Sequence, residues 1–535
     1  MNSATPATRP LVPQAPGRPD HRRAALLVVC AAALIVNVDN TILNVALPTL
    51  VRQLHATSSE LQWIVDAYAI VFGGLLLVGG SAGDRFGRKR FFLAGLTVFA
   101  LASIGAGYSG SVDVLIAWRA VMGAGAALTI PAGLSIVNDM FRNPAQRARA
   151  IGMWAGTAGM GIAIGPIAGG LLLARFWWGS IFLVNVPIAV AAFVAALLLV
   201  PDSRNPASDR PDPAGSGLSI AGLGLILWAI IEGPTDGWSS ARVVGVGMAG
   251  LAVLAAFTAW EFRSDHPMLK LGFFRNRRFS VAAAVQCLGS FGLLGALFVQ
   301  TQFLQFDLGY SPLQAGLRIL PIAGTLVVAA LASSAASRVA GVKLTAAAGL
   351  TLIAGGLWQT ASVASFSTTY GNVLPGLLLI GLGAGLLMPT ATNSVVGSVP
   401  HGEAGVGSAT NGVAIQVGGA LGVAVIGSVL STRYQNRMTA ALAGHQVPAT
   451  ALHTILGSFG GALTVAARAG GATGALLAHA ARVAFMSGTG VSLGAGAAVA
   501  AGGIVVALAL LPARAERPRS PRNRTRESGE DSSQR

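Results

Sequence analysis

A carboxylate lies in the middle of the first apolar stretch of this sequence. Asp39 is followed by Asn40, Thr41 and Asn44, within a run from 24 to 47 that is otherwise apolar enough to cross a bilayer. A charged side chain at the centre of a bilayer costs roughly 2.5–3.5 kcal/mol on insertion scales, so a carboxylate there points to a function. The chemistries open to it are proton binding, pairing with a cation and contact with a substrate.

Two further charges are expected at the depth of Asp39. At 1.5 Å per helical residue, Asp39 lies roughly 22 Å along its helix from the side on which the chain starts, and Asp66 and Arg119 lie at roughly 21 Å. We predict that Arg119 faces Asp39 or Asp66 inside the protein and keeps that carboxylate charged until substrate or conformation changes the contact. Proton release and substrate binding would then compete.

Structural explanations stay open for these residues. A purely structural ion pair is the alternative for Asp39, and Asp66, three residues after Trp63, equally well anchors its helix at the membrane interface. Amide side chains at Asn44, Asn411 and Gln416 are candidate substrate contacts, as are those at positions 300 and 302. Hydrogen bonds between helices explain these amides equally well.

The composition is that of a membrane protein. Hydrophobic residues make up 53% of the chain, charged residues 10%, and the mean hydropathy is +0.65, whereas soluble domains carry about 25% charged residues. The first apolar run is long enough to span and is followed by many others, so we expect a mature helix rather than a cleaved signal. Cys30 and Cys287 lie inside apolar runs without metal-ligand spacing, and we predict no disulfide, metal or cofactor.

Hydropathy predicts an all-α polytopic protein with fourteen transmembrane helices. Residues 432–484 form a long connection that we interpret as amphipathic helices or a hairpin at the outer interface, with two additional spans as the alternative. The segments 1–23 and 512–535 are predicted to be disordered. The predicted spans are 24–47, 61–80, 91–110, 113–137, 149–174, 181–200, 217–233, 243–261, 280–305, 313–336, 343–363, 371–398, 404–431 and 485–511.

The positive charge follows the topology. Most of the 36 Lys and Arg residues fall in the amino-terminal tail, the even-numbered loops and the carboxy-terminal tail. By the positive-inside rule, both termini are cytoplasmic in the cell membrane. The net charge of +16 is thereby explained without a nucleic-acid partner.

The loop between the second and third spans resembles the signature loop of the major facilitator superfamily. That resemblance implies a secondary transporter built from two six-helix bundles. Its acidic residue is expected to pair with basic groups across the cytoplasmic face as a latch that breaks when the conformation changes. A degenerate copy at 337–343 suggests an internal repeat. The residues that carry the resemblance are Gly80, Gly83, Asp84, Arg85, Gly87 and Arg88.

The fifth span resembles the antiporter signature of the same superfamily. Glycines at four-residue spacing allow helices to approach closely, and a proline removes one backbone hydrogen bond and bends the helix. Ordinary membrane packing would explain the spacing of the glycines but not the complete element. Its residues are Gly161, Gly165, Pro166, Gly169 and Gly170.

Three further elements are similar to the fourteen-helix drug:proton antiporters of the EmrB/QacA type. They are residues 39–48, 181–187 and 273–279. The resemblance implies bundles at 24–200 and 280–511 joined by a linker with two extra transmembrane helices at 201–279. Departures at Gly179-Ser180, Met122 and Ile415 bear on substrate recognition rather than on the fold.

These features favour a proton-coupled exporter of hydrophobic drugs, antibiotics or similar molecules, acting as a monomer in the bilayer. No nucleotide-binding P-loop occurs in the sequence, so the energy is expected to come from an ion gradient. The substrate is expected to be small and hydrophobic or cationic. A dedicated exporter of one natural product or lipid, and a proton-coupled uptake symporter, remain alternatives, whereas the scattered histidines show no catalytic spacing and we predict no enzyme.

Overall fold

The computed structural model describes residues 19–141, 143–205, 210–365, 368–400 and 403–512. The predicted tails therefore fall mostly outside the described residues. Residues 19–23 belong to the first helix, which begins at Pro19 rather than at 24.

The described residues fold into helices and short connections. A 3-10 turn at Leu271–Arg275 precedes α10, and a π-helical segment at Phe303–Asp307 extends it. The α-helices are α1 Pro19–Leu54, α2 Ser58–Phe86, α3 Arg88–Gly107, α4 Val112–Met140, α5 Pro144–Arg175, α6 Ser180–Leu183, α7 Asn185–Leu199, α8 Pro213–Asp236, α9 Ala241–Arg263, α10 Arg277–Gln302, α11 Pro312–Val339, α12 Gly341–Val363, α13 Tyr370–Val396, α14 Ala404–Leu442, α15 Ala449–Gly457, α16 Phe459–Ala469 and α17 Gly471–Leu510.

Fourteen helices in the described part of the chain are long and apolar enough to cross a membrane, which is the predicted number. The pair α6–α7 forms one of them. Helices α1 to α7 pack into one bundle, and α10 to α14 pack with α17 into a second. Helices α8 and α9 pack against each other, and α8 also contacts α2 and α14. The domain boundaries taken from the sequence remain a prediction.

Capping residues fix where several helices begin. Thr57 accepts a hydrogen bond from the backbone of Glu60, whose carboxylate accepts one from Thr57 in return. Asn143 caps α5 ahead of a proline in its first turn, and Ser311 does the same for α11. Each cap satisfies backbone N–H groups that have no partner within the helix.

Two tight connections between helices each contain a glycine with positive φ. Gly87 joins α2 to α3 with φ +129°, and Gly341 joins α11 to α12 with φ +83°. Residues with a Cβ rarely adopt such angles. Each of the two loops therefore contains a position that favours glycine.

The segment 432–484 is more helical than hydropathy indicated. Helix α14 continues to Leu442 and α17 begins at Gly471, with α15 and α16 between them. These two helices have 9 and 11 residues, and 11 residues reach only about 16 Å, half the thickness of a hydrocarbon core. The two additional spans considered as an alternative do not form.

Helices α15 and α16 lie on the membrane face that holds the α1–α2 connection at residues 55–57, which we name the α1–α2 face. Phe459 of α16 stacks on Phe485 of α17 with ring centroids 4.6 Å apart, and its ring edge meets Phe306 at 5.7 Å. The hydroxyl of Tyr434 donates to the carbonyl of Ile455 at 2.8 Å. These contacts hold the two short helices against the second bundle. The opposite face is named the α2–α3 face.

Candidate proton and substrate site

Asp39 and Arg119 form an ion pair in the interior of the first bundle. Arg119 Nη1 lies 2.6 Å from Asp39 Oδ2, and both side chains are 0% exposed. Asn185 Nδ2 donates to Asp39 Oδ1 at 3.0 Å, and Arg119 Nε donates to the carbonyl of Ile64 at 3.0 Å. Both carboxylate oxygens are therefore satisfied by donors from α4 and α7.

An aromatic ring completes the surroundings of this pair. The guanidinium carbon of Arg119 lies 4.4 Å from the centre of the Tyr68 ring, a distance at which the ring face attracts the cation. Met122 Sδ is 4.0 Å from Arg119 Nη1. The pair and its neighbours all belong to α1, α2, α4 and α7, so the first bundle can move without separating them. Asp39 and Asp66 were both considered as partners of Arg119, and the structure pairs Arg119 with Asp39.

Asp66 lies in a different environment. It is 0% exposed, and neither carboxylate oxygen has a hydrogen-bond partner among the described residues. An isolated buried charge is far more costly than a paired one. Asp66 therefore differs in kind from Asp39, although the two lie at a similar predicted depth.

The position of Asp66 follows from its neighbours along α2. Gln62 lies four residues before Asp66, and Ala69 and Gly73 lie three and seven residues after it. These spacings place all four residues on one side of the helix. The Ser428 hydroxyl of α14 donates to Gln62 Oε1 at 3.2 Å. Ala69 packs in a cluster with residues 420 and 424 of α14, and a Cβ on Gly73 would lie 3.1 Å from the side chain at 416. Asp66 thus belongs to the side of α2 that packs on the second bundle.

The predicted amides lie apart from the Asp39 pair. Asn44 lines a narrow cleft between the bundles together with Thr41, Pro166 and Thr301. Asn411 donates to Thr392 Oγ1 at 3.1 Å. The remaining amides make other contacts: Gln416 lines a second cleft beside α8, Gln300 donates to Thr360, and Gln302 donates to its own helix.

The antiporter element packs on both bundles. Thr41 Oγ1 of α1 donates to the Gly161 carbonyl at 2.8 Å, and a Cβ on Gly161 would lie 2.6 Å from that of Asn37. On the side toward α11, a Cβ on Gly170 would lie 2.5 Å from Leu313 Cα. Gly165 and Gly169 face α1, and Pro166 faces Gly316 of α11. Side chains larger than hydrogen would separate α5 from these partners.

We therefore predict that Gly165→Leu reduces stability and transport. A Cβ at this position would overlap Thr41 of α1, and overpacking typically costs about 1–3 kcal/mol. The thermal midpoint of the purified protein should fall, and export should fall with it. Gly156→Leu in the same helix is the matched control, because no atom lies within 4 Å of a Cβ there. Equal effects of the two substitutions would contradict this account.

The signature loop is held within the first bundle. Arg88 Nε lies 2.6 Å from Asp84 Oδ1, and Arg88 Nη1 lies 3.6 Å from Asp139 Oδ1. Backbone bonds join this turn to the segment after α7, since Arg88 N–H donates to Ser203 and Asn205 N–H donates to Asp84. Within the described ranges, Asp84 forms no ion pair with the second bundle. The remaining residues pack locally: Gly80 beside Pro131, Gly83 beside Phe91, and Arg85 over Phe86.

The two bundles meet closely at the α1–α2 face. Gln305 Nε2 of the π-helical segment donates to the carbonyl of Val45 in α1 at 2.8 Å, and the contact is buried. A Cβ on Gly460 of α16 would lie 2.5 Å from Val51 of α1. With the contacts of Gln62 and Gly170, these interactions close the interface between the bundles on this side.

Asn185 and Tyr68 were not assigned a role from the sequence. Asn185 lies in the 181–187 element but is uncharged, so it did not stand out as a site residue. Tyr68 lies in an apolar helix and is itself largely apolar, so nothing in the sequence suggested a role for it. A polar side chain at the start of an apolar helix was the available signal for Asn185. Among the described residues, no group of three or more His, Cys, Asp or Glu side chains is placed to hold a metal ion.

Comparison with known proteins agrees with this architecture. The family profile described as Major Facilitator Superfamily matches residues 29–423. The chain belongs to this superfamily. It is therefore a multi-pass membrane transporter rather than an enzyme.

Several curated relatives are similar over most of their length. The multidrug efflux pump LfrA of Mycolicibacterium smegmatis is 34% identical over 472 residues, covering 88% of this chain and 92% of that protein. The puromycin resistance protein pur8 of Streptomyces alboniger is 37% identical over 420 residues, covering 77% and 82%. The methyl viologen resistance protein SmvA of Salmonella typhimurium is 31% identical over 480 residues, covering 88% and 94%.

A solved structure shows the same fold. The crystal structure of a bacterial homologue of the human lysosomal transporter Spinster, in an inward-facing and occupied conformation, superposes with a TM-score of 0.64. The match covers 92% of this chain and 98% of that one at 16% identity. At this identity the similarity concerns the fold alone.

Proposed function

We propose that this protein exports small hydrophobic molecules, including cationic ones, in exchange for protons moving inward. Relatives named for multidrug efflux and for resistance to puromycin and to methyl viologen match it along most of the chain. The observation that carries the proton coupling is Asp66, a fully buried carboxylate without a hydrogen-bond partner among the described residues at the junction of two bundles.

In this proposal Asp66 carries the exchanged proton. With the bundles packed together, its carboxylate is shielded from bulk solvent and has no hydrogen-bond donor among the described residues, so the protonated form is favoured. When substrate enters the cleft from the cytoplasmic side, the proton leaves toward the cytoplasm. When α2 and α14 then separate, the group becomes accessible from the outside and takes up the next proton. Protonation therefore stabilises the packed state, and deprotonation stabilises the separated state, which links proton movement to the conformational change.

The Asp39–Arg119 pair has a positioning role. Its donors all come from the first bundle, so we expect it to stay closed during the transport cycle. It fixes α1, α4 and α7 relative to one another and holds Asn44 and Thr41 at the cleft between the bundles. Substrate is proposed to bind in an enlarged form of this cleft, which α1, α5, α10 and α11 line.

The orientation is part of the proposal. Both termini are placed in the cytoplasm because the basic loops lie on the α2–α3 face. The α1–α2 face is then external, and the contacts of Val45 and Val51 close the transporter toward the outside. One chain supplies both bundles and the cleft between them, so the functional unit is proposed to be a monomer.

Everted membrane vesicles test the exporter directly. Vesicles containing the protein should accumulate ethidium when respiration acidifies their interior, and dissipating the pH gradient with nigericin should release the dye. Vesicles without the protein are the control. Accumulation that persists unchanged after the gradient is dissipated would contradict proton-coupled export.

A narrower exporter is also supported by one relative. A tetracenomycin C resistance and export protein of Streptomyces glaucescens is 34% identical over 409 residues, covering 76% of each chain. Measuring the resistance of an overexpressing strain to ethidium, puromycin and methyl viologen distinguishes a broad exporter from a dedicated one. Resistance to all three indicates a broad exporter, and resistance to one indicates a dedicated pump.

A further inference from the structure

Two acidic residues meet where the linker helices α8 and α9 come together, outside both bundles. Asp212 immediately precedes α8, and Glu261 lies in the last turn of α9. They are 6% and 3% exposed. Neither belongs to the Asp39 pair or to the α2–α14 junction, so the proposed transport mechanism does not use them.

Three of their four carboxylate oxygens accept hydrogen bonds. Asp212 Oδ1 accepts from the backbone of Gly215 at 2.9 Å, and Oδ2 accepts from Trp260 Nε1 at 2.8 Å. Glu261 Oε2 accepts from the backbone of Leu269 at 3.0 Å. Glu261 Oε1 is buried and has no hydrogen-bond partner among the described residues.

The unpartnered oxygen of Glu261 lies beside Gly215, as does one oxygen of Asp212. A Cβ built on Gly215 would lie 2.6 Å from Glu261 Oε1 and 2.7 Å from Asp212 Oδ2. Both oxygens therefore approach the same point in space, which is left open because residue 215 is glycine. Each carboxylate therefore presents one oxygen to this point.

No described basic group neutralises the pair. In the segment after α9, Arg263, Asp265 and His266 are exposed, and Lys270 Nζ pairs with Glu403 at 3.0 Å. No Lys, Arg or His nitrogen of the described residues forms an ion pair with either carboxylate. The exposed Arg210 precedes Asp212 by two residues.

On the helices that pack on α8, no described cation forms an ion pair with either carboxylate. On α2, Asp66, Asp84 and Arg85 are eight, ten and eleven residues from Gly74, the residue that Ser216 of α8 contacts, or roughly 12, 15 and 16 Å along the helix. Helix α14 carries no charged residue between 405 and 432. Two buried carboxylates so placed cannot both be charged without strong repulsion and a large desolvation cost.

We propose that Asp212 and Glu261 share a single proton, forming a protonation site at the base of the linker that is separate from the transport carboxylates. The proton joins the start of α8 to the end of α9. Because the Ser216 hydroxyl donates to the Gly74 carbonyl of α2 at 3.0 Å, the site also fixes the linker to the first bundle. Removing the proton places two negative charges together and loosens this attachment.

Glu261→Gln tests the shared proton because glutamine has the shape and hydrogen-bonding pattern of a protonated glutamate. Its amide nitrogen would take the place of Oε1 beside Gly215 and Asp212, and its oxygen would still accept from Leu269. The folded wild type holds a proton that the unfolded chain has already released at neutral pH, so its thermal midpoint should fall as pH rises. Between about pH 6 and about pH 9, the midpoint of Glu261→Gln should fall less than that of the wild type.

Infrared spectroscopy of the purified full chain supplies the second readout. The wild type should show a protonated carboxyl band that Glu261→Gln removes and that Asp66→Asn leaves in place. Glu261→Ala should lower the thermal midpoint at every pH, and the exposed control Asp265→Asn should change neither measurement.

Two results would overturn this proposal. One is an infrared spectrum in which Glu261→Gln removes no carboxyl band. The other combines two observations: the thermal midpoint of Glu261→Gln is as low as that of Glu261→Ala, and adding Mg²⁺ or Ca²⁺ raises the thermal midpoint of the wild type only. The site would then bind a metal cation rather than a proton. Neither result depends on whether the protein exports drugs.

Discussion

Asp66→Asn is expected to abolish uphill export driven by a pH gradient while leaving downhill exchange of substrate intact. Asparagine occupies the same space and stays neutral in both conformations, so the bundles can still separate and repack. The variant has no proton to release, and the gradient loses its effect on the direction of movement. Proteoliposomes with an imposed pH gradient should accumulate ethidium at least tenfold less, whereas exchange of labelled for unlabelled ethidium without a gradient should persist.

The matched control is Asp113→Asn at the exposed start of α4. It makes the same chemical change outside the α2–α14 junction, and export should stay at the wild-type level. Full gradient-driven accumulation by Asp66→Asn would contradict the assignment. Loss of both accumulation and exchange in a correctly folded variant would point to a role in substrate binding instead.

Arg119→Leu is expected to produce the largest loss of stability. The substitution leaves Asp39 buried with Asn185 as its remaining side-chain donor. Removing one partner of a buried ion pair typically costs about 3–5 kcal/mol. The yield of folded protein and its thermal midpoint in detergent should both drop sharply. The double variant Asp39→Asn/Arg119→Leu should recover part of the loss, because it removes the unpaired charge.

Arg242→Leu provides the comparison for this effect. Arg242 also pairs with an aspartate, Asp236, at 3.2 Å, but its side chain is 70% exposed. Surface ion pairs contribute about 0–1 kcal/mol, so this variant should be almost as stable as the wild type. If Arg119→Leu were no less stable than Arg242→Leu, the interior ion pair would not have the structural role assigned to it.

The sequence predicted the depth of the interior charges but not their pairing. Depth follows from the rise per residue of a helix, so Asp39, Asp66 and Arg119 could be placed at one level. Which residues face each other depends on the rotation of each helix about its axis, and tertiary packing sets that rotation. Arg119 could therefore be expected near two acids, and only the structure distinguishes Asp39 from Asp66. Asn185 was missed for the same reason.

The fold was predictable because several long sequence features each indicate it. Fourteen apolar runs and the glycine-rich loop at 80–88 each indicate the architecture independently. The segment 432–484 was less predictable because Arg437, Arg468 and other polar residues lower the hydropathy of helices that continue beyond the apolar core. For Asn411, hydropathy predicts the transmembrane span in which the residue lies but not the residue that it contacts. Its hydrogen bond with Thr392 depends on how α13 and α14 pack.

Proton release on substrate binding tests the central claim most directly. Ethidium is added to the purified transporter in weakly buffered detergent solution, and the change in pH is recorded for the wild type, Asp66→Asn and Asp113→Asn. The wild type and Asp113→Asn should release protons, and Asp66→Asn should bind ethidium without releasing any. Proton release by Asp66→Asn equal to that of the wild type would contradict the assignment of Asp66 as the proton carrier.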